Sequence, residues 1–236
     1  MNLTKTKQHE VAQREQDLLR HCRVILLSEG YKAVNIDRLA AEVGVSKGTV
    51  YNHFANKEEI IMALATQSWQ LRQRIFTAAS TMAGPSRSRM LAIGAACEHF
   101  RIECQDHFEV ELWARNHHLW EKTGDAIHNG ISQCEQNTMG IVAGIVRDAI
   151  ARGELTNLDI SPEEVVFGFW SLIYGGQLLA STSPSLRSIG LFDTETTMRR
   201  HCHHLLTGLN WRPLQKWADQ IRTMNGFRVE LKKLKF

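Results

Sequence analysis

Residues 36–54, IDRLAAEVGVSKGTVYNHF, decide the fold. They read as two short helices joined by a tight turn. Asn35 stands where a side-chain oxygen can accept from the free amides of a first helical turn. Val34 and Leu39 occupy the two positions of a hydrophobic staple. Leu39, Ala40 and Val43 give the first helix an apolar stripe. Gly44 then stops it, where left-handed backbone is cheap only for glycine. Ser46 is placed to cap the second helix, with Val45 and Val50 as its staple. On that helix Val50 and Phe54 face inward. Thr49, Asn52 and His53 face outward, flanked by Lys47, Gly48 and Tyr51. This outward face has polar and basic groups and no acid, which suits the edge of a DNA major groove and the phosphates beside it. A helical hairpin with no nucleic-acid partner would show the same spacing.

The flanks extend the pattern. Residues 10–29 form an amphipathic helix, with Val11, Leu18, Cys22, Ile25 and Leu26 at helical spacing, and Gly30 ends it. In ANKEEI, residues 55–60, Asn56 is a third N-cap and Glu59 its capping-box partner.

The combination of Ser28-Glu29-Gly30-Tyr31, Leu39-Ala40, Gly44-Val45-Ser46, Gly48-Thr49-Val50-Tyr51-Asn52-His53-Phe54 and Asn56-Lys57-Glu58-Glu59 resembles the N-terminal domain of the TetR family of bacterial transcriptional regulators. Asn35, Leu39 and Val43 stand where threonine, isoleucine and alanine are frequent in that family, and all three keep the local physics. The resemblance implies an all-α protein with a three-helix helix-turn-helix head. A long helix would join the head to a helical ligand-binding and dimerisation domain. By position, Tyr51, His53 and Lys57 resemble phosphate-contacting residues, and Lys47, Gly48, Thr49 and Asn52 resemble residues that approach the bases. Asn35 would present helix-start amides to a phosphate.

Composition agrees with such a protein. The chain has 236 residues, 43% hydrophobic and 22% charged, with a net charge of +3. Charge is unevenly spread. Residues 1–75 hold 11 Lys and Arg against 8 Asp and Glu, residues 76–211 hold 10 against 15, and residues 212–236 hold 7 against 2. A basic head on an acidic body helps to orient a protein on a polyanion. The polar first segment shows no secretory signal, and no apolar run approaches the 18 or so residues of a membrane span, so a cytoplasmic location is expected. Cys22, Cys97, Cys104, Cys134 and Cys202 form no C-x-x-C pair and read as reduced thiols.

Beyond Lys57 the periodicity predicts helices over 57–79, 86–104, 106–120, 125–151, 162–181 and 193–210, with Pro162 at an N1 position. This suggests three parts: a DNA-binding domain 1–56, a ligand-binding and dimerisation domain 57–211, and a basic extension 212–236. The segment 162–181 is apolar nearly all round, and Gly175 and Gly176 permit close helix approach. The resemblance implies that it and 193–210 pair with a second copy as a four-helix bundle. In the extension, Leu214, Trp217, Ala218 and Ile221 predict a helix from Pro213 to about Met224, broken by Asn225-Gly226. A basic, partly apolar end then runs from Phe227 to Phe236.

The resemblance also implies a small-molecule pocket in the middle domain. Phe76, Phe100, Trp113, His117, Met139, Trp170, Tyr174 and Gln177 are the candidates for its wall. A mostly apolar wall with a few polar groups suggests a hydrophobic or aromatic effector. Each of the large apolar side chains also fits an ordinary core role. His99, Glu103 and His107 recur every four residues, and His201, Cys202, His203 and His204 cluster. The first set is interrupted by a helix break and the second points in several directions, so neither a metal nor a cofactor is expected. No nucleophile elbow, P-loop, dinucleotide fingerprint or H-E-x-x-H motif points to an enzyme. The expected function is a DNA-binding transcriptional regulator. It would be a repressor that binds an inverted repeat as a homodimer and is released by a small effector. The alternative is a DNA-bound regulator that answers to a protein partner.

Overall fold

The computed structural model describes residues 3–156 and 159–234, and all regular structure among them is helical. The helices are α1 Leu3–Glu29, α2 Ile36–Val43, α3 Lys47–Tyr51, α4 Lys57–Ser80, α5 Ser86–Glu103, α6 Gln105–Ala114, α7 His117–Glu121, α8 Asp125–Ala151, α9 Pro162–Thr182, α10 Thr194–Gly208 and α11 Trp217–Lys233. Packing divides the chain into two compact units, Met1–Leu71 with Glu103–Glu135, and Arg72–Ile102 with Gln136–Phe236.

The first unit is built on the inner face of α1. Leu18, Cys22, Ile25 and Leu26 are buried there, whereas Val11, expected on the same stripe, is exposed. Leu39, Ala40, Val50 and Phe54 close on that face from α2 and from α3 with its exit turn, and Ile60, Ile61 and Leu64 from α4. Val110, Ala114, Leu119 and Ile131 complete the same core. The helix expected over 106–120 is two helices. Asn116 caps α7 by accepting from the His118 amide (3.0 Å), and Trp120 Nε1 donates to the Ala114 carbonyl left free at the end of α6 (2.7 Å).

In the second unit the start of α5 is tied to distant parts of the chain. Arg87 is fully buried, and its guanidinium donates to Leu206 O (3.0 Å) and Trp211 O (2.7 Å). Ser86 binds the Glu154 carboxylate through its amide and its hydroxyl, and Trp211 Nε1 donates to Ser86 Oγ (2.8 Å). Helix α9 starts with a full capping box, Ser161 with Glu164, and with Pro162 at its first position as the sequence predicts. Gly176 serves a contact within the chain: a Cβ there would overlap Met198 of α10. By length and composition α9 is apolar enough to cross a membrane, which corrects the expectation that no run approaches that size. Its neighbour α10 is polar along much of its length, TETTMRRHCHHLLTG.

The extension departs most from expectation. The chain is irregular from Arg212 to Lys216, so Pro213 does not start the helix, and α11 runs unbroken through Asn225-Gly226. Its buried stripe is Gln220, Met224, Phe227 and Leu231, while Leu214 is exposed. Met224 packs over Gly94 of α5, where a Cβ would stand 3.4 Å from its methyl. Arg228 lies between Glu98 (3.7 Å) and Glu195 (3.5 Å), and His203 Nδ1 donates to Gln220 Oε1 (2.9 Å). Lys235 and Phe236 lie outside the described residues. All five cysteines are free thiols, and burial pushes Cys22 and Cys202 up to about 12, which keeps both protonated.

Candidate nucleic-acid interface

The reading head is assembled by its caps. Asn35 Oδ1 accepts from the Asp37 amide (2.8 Å) and starts α2. Gly44, at φ 74°, ends it in the left-handed conformation, and Val45 N donates to Ala40 O (2.9 Å). Ser46 then caps α3, accepting from the Thr49 amide (3.1 Å), and its hydroxyl also meets that of Thr49 (2.9 Å). Asn56 and Glu59 cap α4: Asn56 Oδ1 accepts from the Glu59 amide (2.8 Å), and Glu59 reaches back to the amide of Ala55 (2.7 Å). Buried Leu39 and Val50 lock the two short helices to the core.

Lys47, Gly48, Tyr51 and Asn52 are exposed and Thr49 is half-buried, so these five share an accessible face. Asn35 is exposed as well, but its side-chain oxygen is already engaged as the cap. His53 does not join the face. Its side chain is only 8% exposed, and Nδ1 lies 3.8 Å from Glu15 of α1. The backbone leaves α3 after Tyr51, so a helical projection misplaces the next side chain but one. Lys57 is also turned inward. Its ammonium lies 4.0 Å from the centroid of the Tyr31 ring and donates to Tyr31 O and Val34 O (3.2 Å each). It fastens the corner between α1 and α2.

Charged groups that the sequence did not single out hold the head in place. Arg38 makes a two-pronged contact with Glu29 (2.7 and 2.8 Å) and donates to Glu42 (2.8 Å). Glu58 is buried at the start of α4, where it accepts a short hydrogen bond from the Tyr31 hydroxyl and meets Lys122 Nζ (3.3 Å). Burial opposes the Glu58 charge, but the hydrogen bonds from Tyr31, its own backbone amide and Lys122 outweigh it and hold the carboxyl below its ordinary range. Burial, and then the bond to Glu58, pushes Tyr31 up to about 12. Asn56 Nδ2 donates to Lys122 O (3.0 Å), so the turn after α7 is bound to the first turn of α4 twice. These contacts join residues 64 and 66 apart, a separation at which local sequence carries no signal.

The candidate pocket residues fall in both units. Trp113 is half-buried in the first, and His117 is a surface residue there, paired with Glu121 (3.2 Å). The other six belong to the second. Phe76 and Phe100 are buried, with the Arg72 guanidinium 4.1 Å from the Phe100 ring centroid. Gln177 is buried and donates to Cys97 O (3.4 Å). Trp170 stacks edge-on with Tyr174 and with Phe167, and Met139 is half-buried.

Residues 22–64 match the model of bacterial regulatory proteins of the tetR family, which covers the end of α1, the whole head and the start of α4. Residues 22–64 therefore carry the DNA-binding segment of this family. A fatty acid metabolism regulator protein of Bacillus subtilis is 26% identical over 152 residues, spanning 61% of this chain and 73% of that protein. The transcriptional repressor AcnR of Corynebacterium diphtheriae is 34% identical over 58 residues, which is 25% of this chain and 30% of that one. A tetR-family regulatory protein from Rhodococcus shares the fold with a TM-score of 0.62 at 16% identity, over 83% of this chain and 96% of its own. The chain is therefore a transcriptional regulator with a helix-turn-helix DNA-binding head, and these relatives are regulators rather than enzymes.

Proposed function

We propose that this regulator is a cytoplasmic repressor that binds an inverted-repeat operator as a homodimer and leaves it when a small apolar effector binds. The functional division would be a reading head 1–56, an effector and dimer domain 57–211, and the extension 212–236. The observation that carries the DNA reading is the capped α2–turn–α3 with its exposed face of Lys47, Gly48, Thr49, Tyr51 and Asn52. Lys47, Gly48, Thr49 and Asn52 would approach base edges, and Tyr51 and the free first-turn amides of α2 beside the Asn35 cap would meet phosphates. Lys57 and His53 would act from behind, as parts of the head's own packing.

The homodimer is supported by α9. Phe167 is 64% exposed, and Leu178 and Leu179 are exposed about three turns further along the helix. An apolar strip of this kind on a DNA-binding chain fits a second copy, because one head reads a half-site weakly. The capping box and the tight pairing with polar α10 support a protein neighbour over lipid. Phe76, Phe100, Met139, Trp170, Tyr174 and Gln177 are the residues we keep for an effector site, and the name of the Bacillus subtilis relative agrees with an apolar effector. Exposed Ile189 and Phe192 between α9 and α10 favour the second reading, a protein partner in place of a small effector.

The test is fluorescence anisotropy on a duplex selected from random DNA, run with sedimentation. Tyr51→Ala is expected to weaken binding to every duplex roughly tenfold, the loss of one hydrogen bond to a charged group. Phe167→Asp is expected to yield a monomer with a folded head and no operator binding. A wild type that is monomeric at micromolar concentration, or a Tyr51→Ala variant that binds like wild type, rejects the reading. Native mass spectrometry of the purified protein separates the small effector from the protein partner.

A further inference from the structure

We propose that Asp37 is a specificity-determining residue of the reading face: it holds Lys47 for a guanine edge and keeps that lysine from serving as a general phosphate contact. The proposal rests on the DNA-binding reading above and adds to it an acid that the sequence pattern did not single out.

Lys47 Nζ lies 2.8 Å from Asp37 Oδ1, across the two helices of the head. Both side chains are open to solvent, at 53% and 65% exposure. Their backbones are fixed. The Asp37 amide is bound by the Asn35 cap, Lys47 is the first residue of α3 behind the Ser46 cap, and the Gly44 turn sets the separation of the two helices. The pair is therefore a product of helix-turn-helix geometry.

The remaining charges nearby are occupied elsewhere. Between Asn35 and Phe54 the other charged residues are Arg38 and Glu42, which bind each other; Arg38 also binds Glu29, and Glu42 also binds His21. Lys47 and Asp37 are thus the charged pair left on the open part of α2 and α3. An ion pair this exposed contributes little to folding, so its effect falls on the partner that approaches the face.

For DNA the consequence is asymmetric. A lysine ammonium has three donors. One bound to Asp37 leaves two, and guanine offers two adjacent acceptors, O6 and N7, in the major groove. A phosphate in the same place would meet the Asp37 carboxylate as well, like charge against like charge. Neutralised by Asp37, Lys47 also adds little to counterion release on arbitrary DNA. Specificity is a difference of affinities, and Asp37 raises it by lowering the non-specific one.

The experiment compares wild type, Asp37→Asn, Lys47→Met and the double variant on the selected duplex and on a scrambled duplex, across a salt series. Thermal melting is the fold control, and all four proteins are expected to melt together. Asp37→Asn is expected to bind the scrambled duplex about three- to tenfold more tightly, with a salt slope steeper by about one for each lysine it frees, and to lose discrimination by a similar factor. In the Lys47→Met background the same change is expected to have no such effect, because the freed cation is gone. Lys47→Met alone is expected to relax the preference for one guanine per half-site. Unchanged scrambled binding in Asp37→Asn, or an equal gain in both backgrounds, overturns the proposal. A wild type that prefers no sequence overturns the DNA-binding reading beneath it.

Discussion

The reading head and the C-terminal extension are both short helical segments, and they are specified in opposite ways. In the head, the ends of each helix are written into neighbouring residues: Asn35, Gly44, Ser46 and Asn56 each bind, or turn, backbone within five positions of themselves. In the extension, neighbouring residues misdirect. Asn225-Gly226 has the local preference of a break, yet α11 passes through it because Met224, Phe227 and Leu231 are buried on its inner side. An amphipathic segment can offer two stripes, and only the surface it meets selects between Leu214-Trp217-Ala218-Ile221 and Gln220-Met224-Phe227-Leu231. Local codes place helix ends, and distant neighbours choose helix faces.

The largest expected effect removes a distant tie. Arg87→Met leaves the carbonyls of Leu206 and Trp211 buried without their donor and is expected to destabilise the protein by about 3 kcal/mol. Denaturant melts are expected to show the loss in the second unit, so an unchanged midpoint would mean that the end of α10 and Trp211 are held by something else. Next comes Met224→Ala, which empties the contact over Gly94 and is expected to cost about 2–3 kcal/mol by the same measurement. Head changes are expected to be smaller. Asn35→Ala removes one cap, about 1 kcal/mol, and hydrogen exchange is expected to rise in α2 while α11 stays protected. The smallest effect has the opposite sign. Gly226 has open space around its Cβ position inside α11, so Gly226→Ala is expected to stabilise by about 0.5–1 kcal/mol. A loss of stability there would restore the break that the sequence suggests.

The fold class, the three caps of the head and the N1 proline of α9 were legible because each rests on residues a few positions apart. The accessible face of α3 was legible for the same reason, as far as the helix lasts. His53 was misplaced because the helix ends at Tyr51, and Lys57 because its carbonyl partners, Tyr31 and Val34, belong to the preceding corner. Asp37 carried no signal of its role, since a pairing ten residues away across a turn has no period to betray it. The pocket residues rest on the resemblance and on residue type, large apolar side chains with a few polar ones among them, which cannot separate a buried Phe100 from an exposed His117.

Arg87 also sets an order in time. The carbonyls it binds lie 119 and 124 residues further along the chain. A chain leaving the ribosome thus cannot complete the Arg87 site until Trp211 has been made. The residues of the first unit end at Glu135. At about 5–20 residues per second, roughly 4–15 seconds separate those two points of synthesis. Every residue of the first unit has been made while the unit that closes around Arg87 is still being translated.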